Sequence, residues 1–76
     1  MIVVVLLDAQ GLLCPMPLLR ARAALASLSP SEALVVLATD REAPIDLGAL
    51  AVETGRAFSS SCEDGVWRLE LAAAEQ

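Results

Sequence analysis

The stretch of sequence that decides the fold is residues 1–20, which read MIVVVLLDAQGLLCPMPLLR. Its first part, Ile2–Leu7, is apolar on both faces and rich in β-branched residues, as expected for a strand. Gly11 falls in a turn. Pro15 suits the first position of a helix and Pro17 its first turn, where a missing backbone N–H breaks no hydrogen bond. This stretch therefore predicts a strand, a tight connection and the start of a helix.

The rest of the chain predicts a second helix and three more strands. The first helix is predicted to span Pro15–Leu28, because apolar residues recur there at helical spacing. The later elements are a strand at Ala33–Thr39, a helix at Pro44–Thr54 that ends at Gly55, and strands at Ala57–Cys62 and Val66–Leu71. The pair Asp64-Gly65 predicts a hairpin turn between the last two strands.

The order of these elements predicts an α/β two-layer sandwich. In this βαβαββ arrangement a four-stranded mixed sheet carries two helices on one face, and residues 1–76 form a single domain. The first two strands should be parallel and joined by a right-handed crossover. Both are apolar on two faces, although helices cover only one. The uncovered face predicts an exposed apolar surface or a partner there, and a weak homodimer is one hypothesis.

The charge of the chain argues against several classes of function. Its net charge is −5, and its five basic residues, all arginines, are scattered among ten acids. A nucleic-acid binder presents a basic stripe to phosphates, so we expect no direct contact with nucleic acid and favour a protein partner. No apolar run reaches the roughly 18 residues of a membrane span. Ile2–Leu7 lacks the basic flank of a signal peptide, so we predict a cytoplasmic protein without membrane insertion.

Two cysteines and no histidine make a structural zinc site unexpected, and we predict no metal and no resident cofactor. Cys62 shares strand parity with Phe58, which favours a small buried side chain. A role for Cys62 as a resolving partner of Cys14 is the alternative, and it would need a close approach of the two Cα atoms. Trp67 is predicted to lie in the core.

Cys14 is the residue best placed for chemistry. It stands directly before the predicted first helix, where free backbone N–H groups and the positive end of the helix dipole favour a thiolate. Both effects predict a lowered pKa and a nucleophilic sulfur. Pro15 and Pro17 would hold that sulfur in one orientation. The residues alone leave a second interpretation open, in which Cys14 only fills the start of the helix as a structural thiol.

Residues Leu7–Leu19, LDAQGLLCPMPLL, resemble the signature of the TusA/SirA-type sulfur-carrier family, a Cys-Pro-x-Pro box after a Leu-Asp-x-x-Gly lead. The resemblance continues at Ala38-Thr39-Asp40, at Asp46-Leu47 and at Thr54-Gly55. It implies a βαβαββ fold and a sulfurtransferase in which Cys14 accepts sulfane sulfur as a persulfide. The matched positions that would shape the site are Asp8, Gly11, Pro15 and Pro17.

The same resemblance implies the partners. The donor would be a pyridoxal-phosphate cysteine desulfurase or a rhodanese-like protein, and the acceptor a cysteine of another sulfur-relay protein. Destinations in the family include thiolation of tRNA, sulfur oxidation, and molybdenum-cofactor or selenium metabolism. Two alternatives stay open: a non-catalytic regulatory module with Cys14 as redox sensor or structural cap, and direct binding of tRNA.

Several positions depart from the family pattern, and we expect them to face partners. Arg41 replaces a proline that often follows the aspartate at Asp40, and Leu13 replaces a basic residue before the box. The predicted docking residues are Arg20, Arg22, Asp40 and Arg41. For Asp8 and Asp40, which follow strands, capping or turn formation is the plainer interpretation, and tuning of Cys14 is the alternative.

Overall fold

The computed structural model describes residues 3–74, which form four strands and two helices. The elements are β1 (Val4–Ala9), α1 (Met16–Ala26), β2 (Ala33–Ala38), α2 (Ala43–Thr54), β3 (Phe58–Glu63) and β4 (Val66–Leu71). The sheet order is β1-β2-β4-β3, with β1 and β2 parallel and the other neighbours antiparallel. The predicted two-layer α/β sandwich with a mixed sheet is confirmed.

Several element boundaries differ from the prediction by one residue, and two others differ by two residues. Strand β1 was predicted at Ile2–Leu7 but extends to Ala9, because its pairing with β2 continues through Asp8 and Ala9. Ile2 lies outside the described residues. Helix α1 ends at Ala26 rather than Leu28, and its last turn closes with tighter backbone bonds three residues apart.

The core is aliphatic and lies between the sheet and the helices. Its largest buried side chains are Leu34, Leu47, Leu50, Leu69, Leu71, Val36 and Pro17. Burial of each leucine contributes about 1.5–3 kcal/mol, so a small domain with few aromatic residues still gains a dense core. Trp67 packs against the margin of this core and is partly buried, in agreement with its predicted place.

The sheet face turned away from the helices is apolar mainly along β1 and β2. Val4 and Leu6 of β1 are 53% and 63% exposed, whereas Val35 of β2 is buried between its neighbours. Further across this face, β4 contributes an exposed ion pair between Arg68 and Glu70, 3.3 Å apart. The exposed apolar surface is therefore narrow, and the homodimer stays a prediction.

The hairpin of β3 and β4 has the predicted turn. Asp64 and Gly65 both have positive φ angles, of 52° and 79°, as a two-residue hairpin turn requires. The predicted burial of Cys62 is wrong, because this residue is exposed. Strand β3 lies at the edge of the sheet, and its residues after Phe58 are all exposed. Cys62 therefore stays exposed although it has the same strand parity as Phe58.

Arg56 is a buried charged residue just beyond α2, only 8% exposed. Its guanidinium donates hydrogen bonds to the backbone carbonyls of Ser29, Glu32 and Ala72, those to Ser29 and Ala72 at 3.1 Å. These bonds tie the α1–β2 connection to the residue after β4. Sequence reasoning did not single out Arg56, because its spacing does not distinguish it from the exposed arginines.

We expect Arg56→Ala to lower the free energy of unfolding by about 2–4 kcal/mol, because three backbone carbonyls lose their buried donor. Urea unfolding followed by Trp67 fluorescence measures this loss. The control Arg68→Ala removes only an exposed ion pair and should change stability by less than about 0.5 kcal/mol. Equal losses in the two variants would contradict a structural role for Arg56.

Candidate functional site

Cys14 lies in the connection between β1 and α1, beyond the carboxyl ends of the two parallel strands. Helix α1 begins at Met16, so Pro15 is the N-cap residue and Pro17 the second helical residue. Pro15 was expected at the first helical position, and Cys14 thus lies one residue farther from the helix than predicted. The peptide bond between Cys14 and Pro15 is cis. Pro17 is buried and anchors the helix start, while Pro15 is exposed.

The end of β2 holds the backbone of this connection. Gly11 has a φ of +83°, in the left-handed region that favours glycine, and its N–H donates to Thr39 Oγ1 at 2.9 Å. The Cys14 N–H donates to Asp40 Oδ2. Thr39 and Asp40 directly follow β2, and the parallel pairing with β1 brings them beside the connection. Thr39 and Asp40 therefore hold the connection at Gly11 and at Cys14, on either side of Leu12 and Leu13.

Asp8 and Asp40 also form local turns. Asp8 Oδ1 accepts the Gln10 N–H at 3.1 Å, and Asp40 Oδ1 accepts the Glu42 N–H at 3.2 Å. These contacts agree with the turn-forming interpretation of both residues. For Asp40 that interpretation is incomplete, because its second carboxylate oxygen holds the backbone of Cys14.

The sulfur of Cys14 contacts a carboxylate on the second helix. The thiol donates a hydrogen bond to Asp46 Oδ2, with 3.2 Å between the sulfur and the oxygen. Asp46 lies in the first turn of α2. Sequence reasoning included Asp46 in the family resemblance but did not place it beside Cys14. The available signal was topological, because helices that follow neighbouring parallel strands start at the same edge of the sheet.

The pKa of Cys14 is raised above the ordinary cysteine value, chiefly because its thiol donates to Asp46. Loss of part of the sulfur's hydration and the negative charges of Asp46, Asp40 and Glu42 raise the pKa further. The predicted lowering of the pKa is therefore wrong. These carboxylates oppose the thiolate that the helix start alone would favour.

The physical reason lies in the small number of donors at the start of α1. Pro15 and Pro17 carry no backbone N–H, and the Met16 N–H already donates to the Leu13 carbonyl at 2.8 Å. A helix start is equivalent to about half a positive charge, and much of that charge resides on free N–H groups. A full negative charge in contact with the sulfur outweighs it.

Around Cys14 the surface is open and partly apolar. The thiol is exposed, and the described residues enclose no pocket. Leu13 and Met16 flank the Cys14–Pro15 pair and are 73% and 39% exposed, while Ile45, next to Asp46, is 69% exposed. We call these three side chains the apolar rim. An open sulfur with an apolar rim suits contact with a protein surface better than enclosure of a small substrate.

The four predicted docking residues have different surroundings. Arg22 forms an ion pair with Glu53 of α2 at 2.8 Å, which raises the pKa of Arg22 and lowers the pKa of Glu53. This exposed pair links the two helices. Arg20 on α1 and Arg41 beside Asp40 are exposed. Asp40 is engaged with the backbone of Cys14 and Glu42.

Neither a metal site nor a membrane span is found in the part of the chain that the structure describes. Within residues 3–74, no group of cysteine, aspartate and glutamate side chains has the arrangement that a metal ion needs. Neither α1 nor α2 has the length and apolar character needed to cross a membrane. Cys14 and Cys62 are both free thiols. Cys14 follows β1 and Cys62 lies in β3, and these two strands form opposite edges of the sheet.

The raised pKa predicts how the reactivity of Cys14 depends on pH. In a Cys62→Ser background, where Cys14 is the single thiol, its alkylation rate should rise with pH to a midpoint above 9.0, the ordinary cysteine value. The cause is that nearby carboxylates disfavour the reactive thiolate. In urea, where the Asp46 contact is lost, the midpoint should fall. A midpoint below 9.0 in the folded protein would contradict this account of the site.

Comparison with known proteins finds a matching family and several similar proteins. The family model described as sulfurtransferase TusA matches residues 5–72. A candidate sulfur carrier protein of Neisseria meningitidis serogroup A is 47% identical over 64 residues, which cover 83% of this chain and 86% of that protein. The sulfur carrier protein TusA of Allochromatium vinosum is 44% identical over 59 residues, 78% of each chain.

A solved structure shares the whole fold. The crystal structure of a SirA-like protein from Desulfitobacterium hafniense superposes with a TM-score of 0.82 at 30% identity. The superposition covers 99% of this chain and all of that chain. The matched region thus includes the Cys14 connection, both helices and the four strands.

Proposed function

Because the chain belongs to the TusA sulfurtransferase family, a family of sulfur carriers, we propose that Cys14 accepts sulfane sulfur as a persulfide and hands it to a cysteine of another protein. The observation that carries the proposal is the exposed thiol of Cys14 at the carboxyl edge of the parallel strands. The Gly11 N–H, the Cys14 N–H and the Cys14 thiol donate hydrogen bonds to Thr39, Asp40 and Asp46, which hold it there. The proposed location is the cytoplasm, where thiols stay reduced.

The transfer needs only thiol–persulfide exchange. The Cys14 thiol loses its proton, and its sulfur attacks the outer sulfur of a donor persulfide. The donor S–S bond breaks, a new S–S bond forms on Cys14, and the departing donor sulfur takes up the proton as a thiol. In the second step an acceptor thiolate attacks the outer sulfur in the same way and restores the Cys14 thiol. Each step exchanges one S–S bond for another, so no external oxidant is consumed.

The open site favours protein partners on both steps. The apolar rim and the exposed sulfur can be covered by a partner surface, which would then supply the reacting cysteine. The proposed donor is a cysteine desulfurase, which would keep its own pyridoxal phosphate, or a rhodanese-like protein. A net charge of −5 and the acids beside Cys14 favour a basic surface on the partner. Arg20 and Arg41 are proposed docking residues at the margin of this contact.

The pathway that receives the sulfur is the finer part of the proposal. Thiolation of tRNA, sulfur oxidation and related sulfur trafficking, such as molybdenum-cofactor or selenium metabolism, are the candidate destinations, each reached through an acceptor protein. Direct contact with tRNA is not part of the proposal, because the acids around Cys14 would repel phosphates. The family match also favours a carrier over a regulatory module in which Cys14 acts as a redox sensor.

Mass spectrometry of the intact protein tests the carrier proposal. After incubation with a cysteine desulfurase and cysteine, or with polysulfide, the chain should gain the mass of one sulfur atom, and a reductant should remove it. Cys14→Ser should abolish the gain from the desulfurase, whereas the matched variant Cys62→Ser should keep it. No gain in the parent protein with any of these donors, or a gain from the desulfurase that persists in Cys14→Ser, would overturn the proposal.

A second variant pair tests contact with a protein donor. Ile45→Gln should slow loading from a cysteine desulfurase by about fivefold, because loss of an apolar contact that the partner buries beside the reacting sulfur would cost about 1 kcal/mol. Val52→Gln is the matched control, since Val52 is 82% exposed on the same helix and farther along it from the site. Loading from polysulfide should be unchanged in both. Equal rates with the desulfurase would argue against the apolar rim as a contact surface.

A further inference from the structure

Resting on the proposed carrier function, we propose that Asp46 is a positioning residue that favours the empty thiol of Cys14 over its loaded persulfide and so promotes onward transfer of the sulfur. The inference starts from the contact between Cys14 Sγ and Asp46 Oδ2 at 3.2 Å. In this contact the thiol is the donor and the carboxylate the acceptor. The bond therefore exists only while Sγ carries a proton.

Among residues 3–74, the carboxylate of Asp46 has no polar contact other than the one with Cys14. Its side chain accepts no other hydrogen bond there and forms no ion pair, while its backbone N–H takes part in the ordinary start of α2. Asp40, by contrast, holds two backbone N–H groups. The side chain of Asp46 is thus directed at the sulfur alone, so its substitution should change the thiol without loosening the loop.

Loading removes the basis of this contact. The empty carrier has Sγ–H, and the donor brings R–S–S–H. The donor S–S bond breaks, Sγ bonds to the outer sulfur, and the proton lost from Sγ ends on the donor as R–S–H. Loaded Sγ has no proton to donate, so the carboxylate loses its hydrogen bond. Neither bond making nor proton uptake passes through Asp46.

The charge of the loaded form acts in the same direction. When the outer sulfur of the persulfide ionises, its negative charge lies among carboxylates. The charged groups that act on the Cys14 sulfur are Asp46 from α2 and Asp40 and Glu42 from the β2–α2 connection. Helix α1 brings no acid or base in its first turn. All three groups carry the same sign, so they disfavour the persulfide anion and leave transfer to an acceptor as the favoured outcome.

The variant Asp46→Asn tests the inference, because asparagine keeps the shape and loses the charge. We expect the alkylation rate of Cys14 at pH 7, in a Cys62→Ser background, to rise about threefold to tenfold as the thiolate becomes less disfavoured. In a mixture of glutathione persulfide and glutathione, the ratio of loaded to empty carrier should rise by a similar factor. Asp64→Asn makes the same charge change at the β3–β4 turn and should alter neither quantity.

The outcomes separate this inference from the carrier proposal. If the parent protein loads but Asp46→Asn shows the same loaded ratio and alkylation rate, the inference is overturned and the carrier function stands. If the parent protein never loads although Asp46→Asn still alkylates faster, the carrier function is overturned. The role of Asp46 in sulfur release is then overturned as well. Asp46→Ala, tested alongside and checked by urea unfolding, should shift both quantities in the same direction as Asp46→Asn.

Discussion

The parallel pairing of β1 with β2 is the constraint on which the site depends. It brings the carboxyl ends of the two strands to one edge of the sheet, so the residues after each strand lie next to one another. Thr39 and Asp40 can then hold the loop before and at Cys14, and α2 starts close enough for Asp46 to reach the sulfur. Without that pairing, nothing would bring these residues, which are far apart in the sequence, into contact.

The resulting site has a thiol that is exposed but whose reactivity is lowered by nearby carboxylates. The thiol is open to a partner, yet its proton is held by a carboxylate and its pKa is raised. Such a thiol is slow to react with bulk oxidants and electrophiles, because the thiolate is the reactive form. A partner that brings positive charge and covers the apolar rim would offset the carboxylates and increase reactivity at the moment of contact. In the empty form, this arrangement protects the Cys14 thiol until a partner docks.

The outline of the fold and the family could be predicted because their signals are local. The apolar run before Asp8, the prolines around Met16 and the Asp64-Gly65 turn each specify an element from neighbouring residues alone. The resemblance in Leu7–Leu19 predicted the family in the same way, since that motif is continuous in the chain.

What could not be predicted depends on contacts between distant residues. Asp46 lies 32 residues from Cys14, and only the folded topology brings the two together. The sign of the pKa shift was missed for the same reason, since the helix start is visible in the sequence whereas the facing carboxylates are not. Cys62 has the parity of a buried residue, but its exposure follows from the place of β3 at the edge of the sheet.

The most direct test of the account follows one sulfur atom through a complete cycle. A desulfurase supplied with cysteine carrying a heavy sulfur isotope loads the chain, the donor is removed, and a reduced sulfur-relay protein with a free cysteine is added as acceptor. Intact-mass measurement of both proteins should show the heavy sulfur leaving Cys14 and appearing on the acceptor in equal amount. Heavy sulfur that stays on the chain, or that is released as free sulfide while the acceptor stays unlabelled, would contradict the claim that this protein is a sulfur carrier.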